Sequence, residues 1–379
     1  MLVSGLRRTH LYPFHKEYGR LVEYAGFEMP LWFEGIVMEH MAVREAVGVF
    51  DVTHMGRSLV TGPEAAEFLD HVTTRAPSEL NVLQGHYTVM CNQRGGIKDD
   101  LTVYRLSPHQ YLVVYNASNR AKDYGWLAEQ AKGFNVKVED VSDEVPMLAV
   151  QGPKAQEVLQ KLTSFDLGLV KRYHVSWIEI AGLKALIARS GYTGEDGFEL
   201  MLWGIPLSSP EPAISFWRKL LEAGRDEGMK PCGLGARNTL RLEAGMCLYD
   251  HDLNEDTTPY EARLDFTVKL DKASFIGREA LIEQRRRGLS KVRIGLKMVE
   301  PGIPRDGCEI LKDGCRIGVV TSGTYSPLLK RGIAMGYVLP SYAEEGSMLE
   351  VNVRGRTLKA EVVKWPFYDT ERYGWRRKQ

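Results

Sequence analysis

The stretch Asn92–Tyr104, NQRGGIKDDLTVY, places two adjacent carboxylates, Asp99 and Asp100, after a glycine pair and at the head of a β-branched, aromatic run. Aspartate is depleted from strands because its short side chain competes for backbone hydrogen bonds. Side chains alternate along a strand, so Asp100, Thr102 and Tyr104 share one face, polar and aromatic as a pocket wall would be. Asp99, Leu101 and Val103 share the other, which reads as core with an aspartate at its fraying end. Asp100 is thus the candidate for chemistry, and Asp99 suits an Asx turn behind Gly95 and Gly96.

Two further stretches invite a chemical reading. Ser190–Leu200, SGYTGEDGFEL, carries glycines, but their spacing fits neither a dinucleotide fingerprint nor a P-loop, and a strand rather than a helix follows. It reads as a tight strand connection offering an aromatic surface, Tyr192, and a carboxylate, Glu199. With Phe198 and Leu200 on the opposite face, Glu199 is half-buried and needs a partner, an arginine or a ligand with two N–H donors. Asp250–Glu261, DHDLNEDTTPYE, has acidic residues at calcium-loop spacing, but Glu255 stands where that loop needs glycine and Pro259 interrupts it. A solvated or pocket-edge loop is expected there. The nine histidines show no zinc-type pairing, and no metal site is expected. The five cysteines form no CxxC pair and read as scattered free thiols of a reducing compartment.

The elements that must position these residues follow from pattern. VTGPEAAEFLDHVT (Val60–Thr73) returns ninety positions later as VQGPKAQEVLQKLT (Val150–Thr163), which predicts two related strand–turn–helix units with Pro63 and Pro153 at the first helical position. Between them YTVMC, DLTVY and YLVVY predict an antiparallel meander, then a helix capped at Asn116 or Ser118. WIEIAG, LKALIARS and FELML predict more strands, and SPEPAISFWRKLLEAG and GARNTLRLEAG predict helices. Arg285-Arg286-Arg287 before Gly288 reads as ordinary helix termination rather than a nucleic-acid patch. Beyond it, short strands with turns at Asp313-Gly314 and Arg354-Gly355 predict a separate all-β barrel or sandwich. Across the 379 residues, 49 basic and 49 acidic side chains cancel, so no global field favours nucleic acid or anionic lipid. The N-terminal stretch lacks a signal peptide's apolar core and no run is long enough to span a bilayer, so a cytoplasmic protein is expected.

Taken in order, EHMAVREAVGVFDVTHMG, GGIKDDLTVY, RSGYTGEDGFEL, GLGARNTLRLEAGMCLYDHDLNEDTTPYEARL, FIGREAL and RGIAMGYV resemble the aminomethyltransferase family of the glycine cleavage system, its T proteins. The resemblance runs from about Thr9 to Tyr373. It implies an α+β fold, a three-domain cloverleaf around a central folate pocket with a C-terminal all-β barrel. Residues 1–285 would form the folate-binding region, with the meander at about 55–140 inserted between the related units, and 286–379 the barrel domain. The implied reaction moves the one-carbon unit from the aminomethyl-lipoyl arm of H protein to tetrahydrofolate, releasing ammonia and methylenetetrahydrofolate, in association with the P and L proteins. No metal or flavin is implied. Asp100 matches the essential carboxylate beside the reacting pterin nitrogens, and Glu199 the carboxylate that recognises pterin. Arg237 matches another folate contact, and Tyr87, Tyr104, Tyr192 and Met55 match pocket-lining positions. Arg372 matches a position at the pocket mouth. Asn238 departs from the family's aspartate, with the expectation that the lost charge alters how Arg237 is held.

Three rival readings share the resemblance. A related folate-dependent demethylase of a small methylated amine or sulfonium compound would keep the pocket and change the donor. A non-enzymatic folate-binding module would carry a KGCYxGQE-type cysteine segment, and SFIGREAL has none. A fused amine-oxidising flavoenzyme would need a GxGxxG region, which is absent from the sequence.

Overall fold

The computed structural model describes residues 5–377; residues 1–4 of the N-terminal stretch and residues 378–379 lie outside the described residues. The chain opens with α1 (Tyr12–Tyr18), the hairpin β1 (Arg20–Tyr24) and β2 (Phe27–Trp32), α2 (Ile36–Glu45) and β3 (Gly48–Asp51). One sheet unit follows: β4 (Gly56–Thr61), α3 (Ala65–Val72), β5 (Gln84–Cys91), β6 (Ile97–Ser107), β7 (Gln110–Tyr115), α4 (Arg120–Gln130) and β8 (Lys137–Asp140). A second repeats the plan: β9 (Met147–Gln151), α5 (Ala155–Gln160), β10 (Val175–Ile180), β11 (Leu183–Ala188), β12 (Gly197–Leu202), α6 (Glu211–Ala223) and β13 (Lys230–Cys232). The strand orders are β5-β6-β7-β4-β8 and β10-β11-β12-β9-β3-β13. The second sheet is the first with β3 inserted, so the short sequence repeat marks a duplication of the whole unit.

The Gly-Pro turns show why the repeat survives in sequence. Gly62 and Gly152 lie at φ +143° and +126°, where L side chains are strained, and both are crowded by backbone. A Cβ on Gly152 would stand 2.6 Å from the Ala46 carbonyl oxygen and 2.7 Å from that of Val43. Gly152→Ala is therefore expected to lower stability by about 1–3 kcal/mol. Urea unfolding checks this, and an unchanged midpoint would mean that the end of α2 gives way freely. The prolines do not occupy the first helical position. Ala65 N–H donates to Gly62 O and Ala155 N–H to Gly152 O, a turn that contains each proline, and the helices begin after it.

Two sheets with helices on their outer faces make a layered body. Val60, Leu101, Val103, Val113 and Tyr115 pack with Phe68, Leu69 and Val72 of α3 on one outer side. Val150, Ile187, Phe198 and Leu200 pack with α5 and with Phe216, Trp217 and Leu220 of α6 on the other. Between the sheets, Tyr104, Leu112 and Val114 meet Phe50, Met147, Leu186 and Met201.

After α7 (Leu234–Glu243) a long connection leads to α8 (Arg278–Arg287), which Gly288 ends at φ +87°. The last strands are β14 (Val292–Met298), β15 (Glu309–Lys312), β16 (Cys315–Ser326), β17 (Arg331–Val338), β18 (Met348–Val353) and β19 (Arg356–Val363). They close a barrel in the order β14-β17-β16-β15-β18-β19, β19 pairing back to β14. Positive φ at Asp313-Gly314 and at Arg354-Gly355 makes two-residue hairpins whose twist matches the strands. The fold is α+β, a three-lobed cloverleaf with a C-terminal barrel. All five cysteines are free, and among the described residues no helix is long and apolar enough to cross a membrane.

Candidate active site

Asp100 sits on β6 as a half-buried residue, on the face that alternation predicts. Tyr87 Oη, one strand away on β5, donates to Oδ2 at 2.9 Å, and Asn116 Nδ2 donates to Oδ1 at 2.8 Å. Burial first, then repulsion from Asp99, raises its pKa from the ordinary carboxyl value to about 7. A carboxyl poised there exchanges a proton readily at neutral pH.

Asp99 is not turn chemistry. Its side chain is fully buried inside β6, where Oδ2 accepts Asn116 N–H at 3.0 Å and Oδ1 accepts Asn116 Nδ2 and Asn119 Nδ2, both at 2.8 Å. Asn92 makes the Asx turn instead, its Oδ1 accepting Arg94 N–H and Gly96 N–H. The glycine at 96 answers to close packing, since a Cβ there would stand 1.8 Å from the Glu255 carbonyl oxygen. Asn116 is the residue that sequence patterning misses, because its role depends on strand register. The register of β6 on β7 pairs Leu101 with Tyr115, which sets Asn116 beside Asp100.

Glu199 projects from β12 with Phe198 and Leu200 buried on the other face. Its partner is a hydroxyl rather than an arginine: Ser190 Oγ donates to Oε2 at 2.5 Å and in turn accepts from Tyr104 Oη at 3.0 Å. Burial raises its pKa, while Ser190 and the charge of Arg237 oppose that rise. Oε1 takes no donor among the described residues.

A cavity of about 580 Å³ opens between the β1–β2 hairpin, α7 and β16. Met55, Asn116, Tyr192 and Arg237 line it. The Arg237 guanidinium lies over the Tyr192 ring at 4.6 Å from the centroid and has no hydrogen bond or ion pair from its side chain among the described residues, so its donors are open to the cavity. Tyr192 Oη donates to the Cys247 carbonyl. Asp100, Tyr87, Tyr104 and Glu199 are not part of that lining; Asp100 connects to it through Asn116. Arg372 is exposed on the C-terminal turn, with its guanidinium 5.3 Å from the Tyr373 ring centroid, and the structure does not bring it to the cavity. Asn238 holds a different arginine from the one expected: its Oδ1 accepts from Arg241 Nε at 2.9 Å. The loop Asp250–Glu261 is less solvated than expected, because Asp252 is buried between Arg241 Nη1 at 2.8 Å and the Ser322 and Thr321 hydroxyls of β16.

The sequence matches the GCVT N-terminal domain over residues 11–272 and the Glycine cleavage T-protein C-terminal barrel domain over residues 291–369. The two matches, in the order of the fold just described, thus place the chain in the class of glycine cleavage T-protein transferases. Proteins named aminomethyltransferase from Caldanaerobacter subterraneus subsp. tengcongensis and Halothermothrix orenii are each 46% identical, covering 97% of both chains in the first case and 96% of this chain and 100% of the other in the second. The crystal structure of glycine cleavage system aminomethyltransferase T from Bartonella henselae superposes with a TM-score of 0.89 at 35% identity, covering 98% of this chain and 100% of that one. The chain belongs to the aminomethyltransferase family of the glycine cleavage system and is an enzyme of one-carbon transfer in glycine catabolism.

Proposed function

We propose that the enzyme accepts the aminomethyl group from the lipoyl arm of H protein and passes its methylene carbon to tetrahydrofolate. The two folate amines bond to the methylene carbon while its bonds to sulfur and nitrogen break. Of the two protons the amines lose, one leaves with ammonia and the other restores the lipoyl thiol. The observation that supports this most is Asp100, a carboxyl poised near neutrality and joined through Asn116 to a cavity with an open arginine. Asp100 would orient the attacking amine and support the charge it develops. Glu199 offers its open oxygen to the pterin N–H groups, with Ser190 fixing the other. Arg237 supplies a fork of donors, and Met55 and Tyr192 supply flat apolar surface. Tyr87 and Tyr104 act one step back, holding Asp100 and Ser190. Arg372 could contribute only by a movement of the C-terminal turn. The P and L proteins would supply and recycle the lipoyl arm, in the cytoplasm.

Incubation with tetrahydrofolate and aminomethylated H protein is expected to release ammonia only when both are present. No H-protein-dependent release, with one-carbon transfer to tetrahydrofolate from a free methylated amine or sulfonium donor instead, would overturn the reading in favour of the demethylase. Near-full-length similarity to proteins named aminomethyltransferase weighs against that rival. Arg237→Lys is expected to raise the KM for tetrahydrofolate by roughly 10- to 100-fold, the worth of a lost charge-assisted hydrogen bond. An unchanged KM would remove Arg237 from the folate site.

A further inference from the structure

Behind Asp100 lies a buried group that the reaction as described leaves unused. Asp123, on α4, is fully buried, and no nitrogen or hydroxyl donor reaches either of its carboxyl oxygens. The side chain it meets is Asp99. Two carboxyl groups make a favourable contact only when a proton lies between them. Three donors from Asn116 and Asn119 converge on the Asp99 oxygens, whereas none reaches those of Asp123, so the geometry assigns the proton to Asp123.

We propose that Asp99 and Asp123 form a proton-sharing carboxyl pair, with the proton on Asp123, that holds Asn116 in place and sets the protonation state of Asp100. The inference rests on the reading of Asp100 as the reacting carboxyl. Asp99 acts through Asn116, whose Nδ2 contacts both aspartates, and through its charge on the neighbouring residue. Asp123 makes that charge tolerable in the core by carrying the proton itself. Burial, followed by repulsion from Asp99, pushes the Asp123 carboxyl upward, in keeping with this assignment.

The other titratable groups around the cluster do not replace this arrangement. Lys98 Nζ bonds Glu255 and lies over the Trp126 ring. Lys122 Nζ bonds the Lys98 carbonyl and Tyr249 Oη. Both lysines act on Asp123 only at a distance, lowering its pKa against the larger upward effects. Tyr249 faces Asp99 and Asp123, Tyr115 faces Asp123, and Tyr87, Tyr192 and Cys247 face Asp100. Burial pushes all five upward, so they stay neutral near pH 7.

The test compares the wild-type enzyme with Asp99→Asn and Asp123→Asn, without folate and during turnover. Infrared spectra of the folate-free protein at pH 8 are expected to show a carboxylic acid band that Asp123→Asn removes. Persistence of that band, or its absence from the wild type, would overturn the pair. Carbon-13 NMR of labelled aspartate, with Asp100 assigned by Asp100→Asn, is expected to show its titration midpoint falling by about one pH unit or more in Asp99→Asn, tenfold in proton affinity. The acid limb of kcat/KM should fall with it. A midpoint that stays put would mean that Asp99 is a structural anchor alone. If Asp99→Asn does not fold, the infrared comparison still decides the pair. If Asp100→Asn keeps its activity, the functional reading fails, while the spectroscopic outcome for the pair stands by itself.

Discussion

Asp100→Asn is expected to lower H-protein-dependent ammonia release by roughly 100- to 10,000-fold, the range for a group that moves or supports a proton in a transition state. The fold should survive, because the amide oxygen can still accept from Asn116 Nδ2 while the amide nitrogen donates to Tyr87 Oη. Its pH behaviour sharpens the expectation. In the folded protein the carboxyl titrates at about 7, raised first by burial and then by Asp99. Activity that needs the ionised form should therefore rise through about pH 7, and that limb should vanish in the amide variant. The stability effect has the opposite sign. Unfolded aspartate loses its proton near the ordinary value of about 3.9, so between there and about 7 the native state binds more protons than the unfolded one. Native stability consequently falls as pH rises through that window. At pH 8 the variant should be at least as stable as the wild type while nearly inactive. A loss of activity under tenfold, or one matched by unfolding, would remove Asp100 from the chemistry.

Arg44→Met is expected to destabilise the fold by about 3–5 kcal/mol, the cost of leaving buried charges without their partner. Arg44, on α2, is fully buried. Its Nε and Nη2 donate to Glu243 Oε2 at 3.1 and 2.9 Å, and Nη1 donates to Glu195 Oε1 and to the Thr193 carbonyl. Glu243 also accepts Ser326 Oγ of the barrel. One guanidinium thus ties α2, the glycine-rich connection before β12, and α7, and through Glu243 the barrel. Burial alone would raise Glu243, but the His40 ring and Arg44 overrule it and hold its pKa below the ordinary value. A depressed carboxyl contributes stability above its unfolded pKa and loses it as pH falls through the folded one. The variant should lose that contribution, so its disadvantage should be largest near neutrality and shrink in acid. Urea unfolding at pH 7 and pH 4 checks both statements. A loss under about 1 kcal/mol at pH 7 would show that water or a rearrangement compensates the two carboxylates.

Much of the frame was legible from pattern alone. The meander, the repeat, the helices and the hairpin turns of the barrel rest on local signals: period-two alternation, Gly-Pro starts and left-handed turn residues. Alternation also separated the fully buried Asp99 from the partly exposed Asp100. The misreadings involve residues that are not neighbours in the chain. Asn116 meets Asp100 sixteen positions away, and Glu199 finds Ser190 and, through it, Tyr104. Asn238 holds Arg241 rather than Arg237 because one helical turn, not adjacency, brings side chains together.

By itself the sequence determined which face each strand residue takes, since alternation is a property of the extended backbone and needs no partner. That much settled that Asp100 and Glu199 point away from the outer cores. Only the tertiary structure decided what stands opposite them. It converted Asp99 from a supposed turn residue into a buried anchor, made Asn116 the bridge to the cavity, and left Arg372 on the surface. These outcomes depend on strand register and on how three lobes meet. Both are set by packing summed over the whole chain, so no local window of sequence contains them.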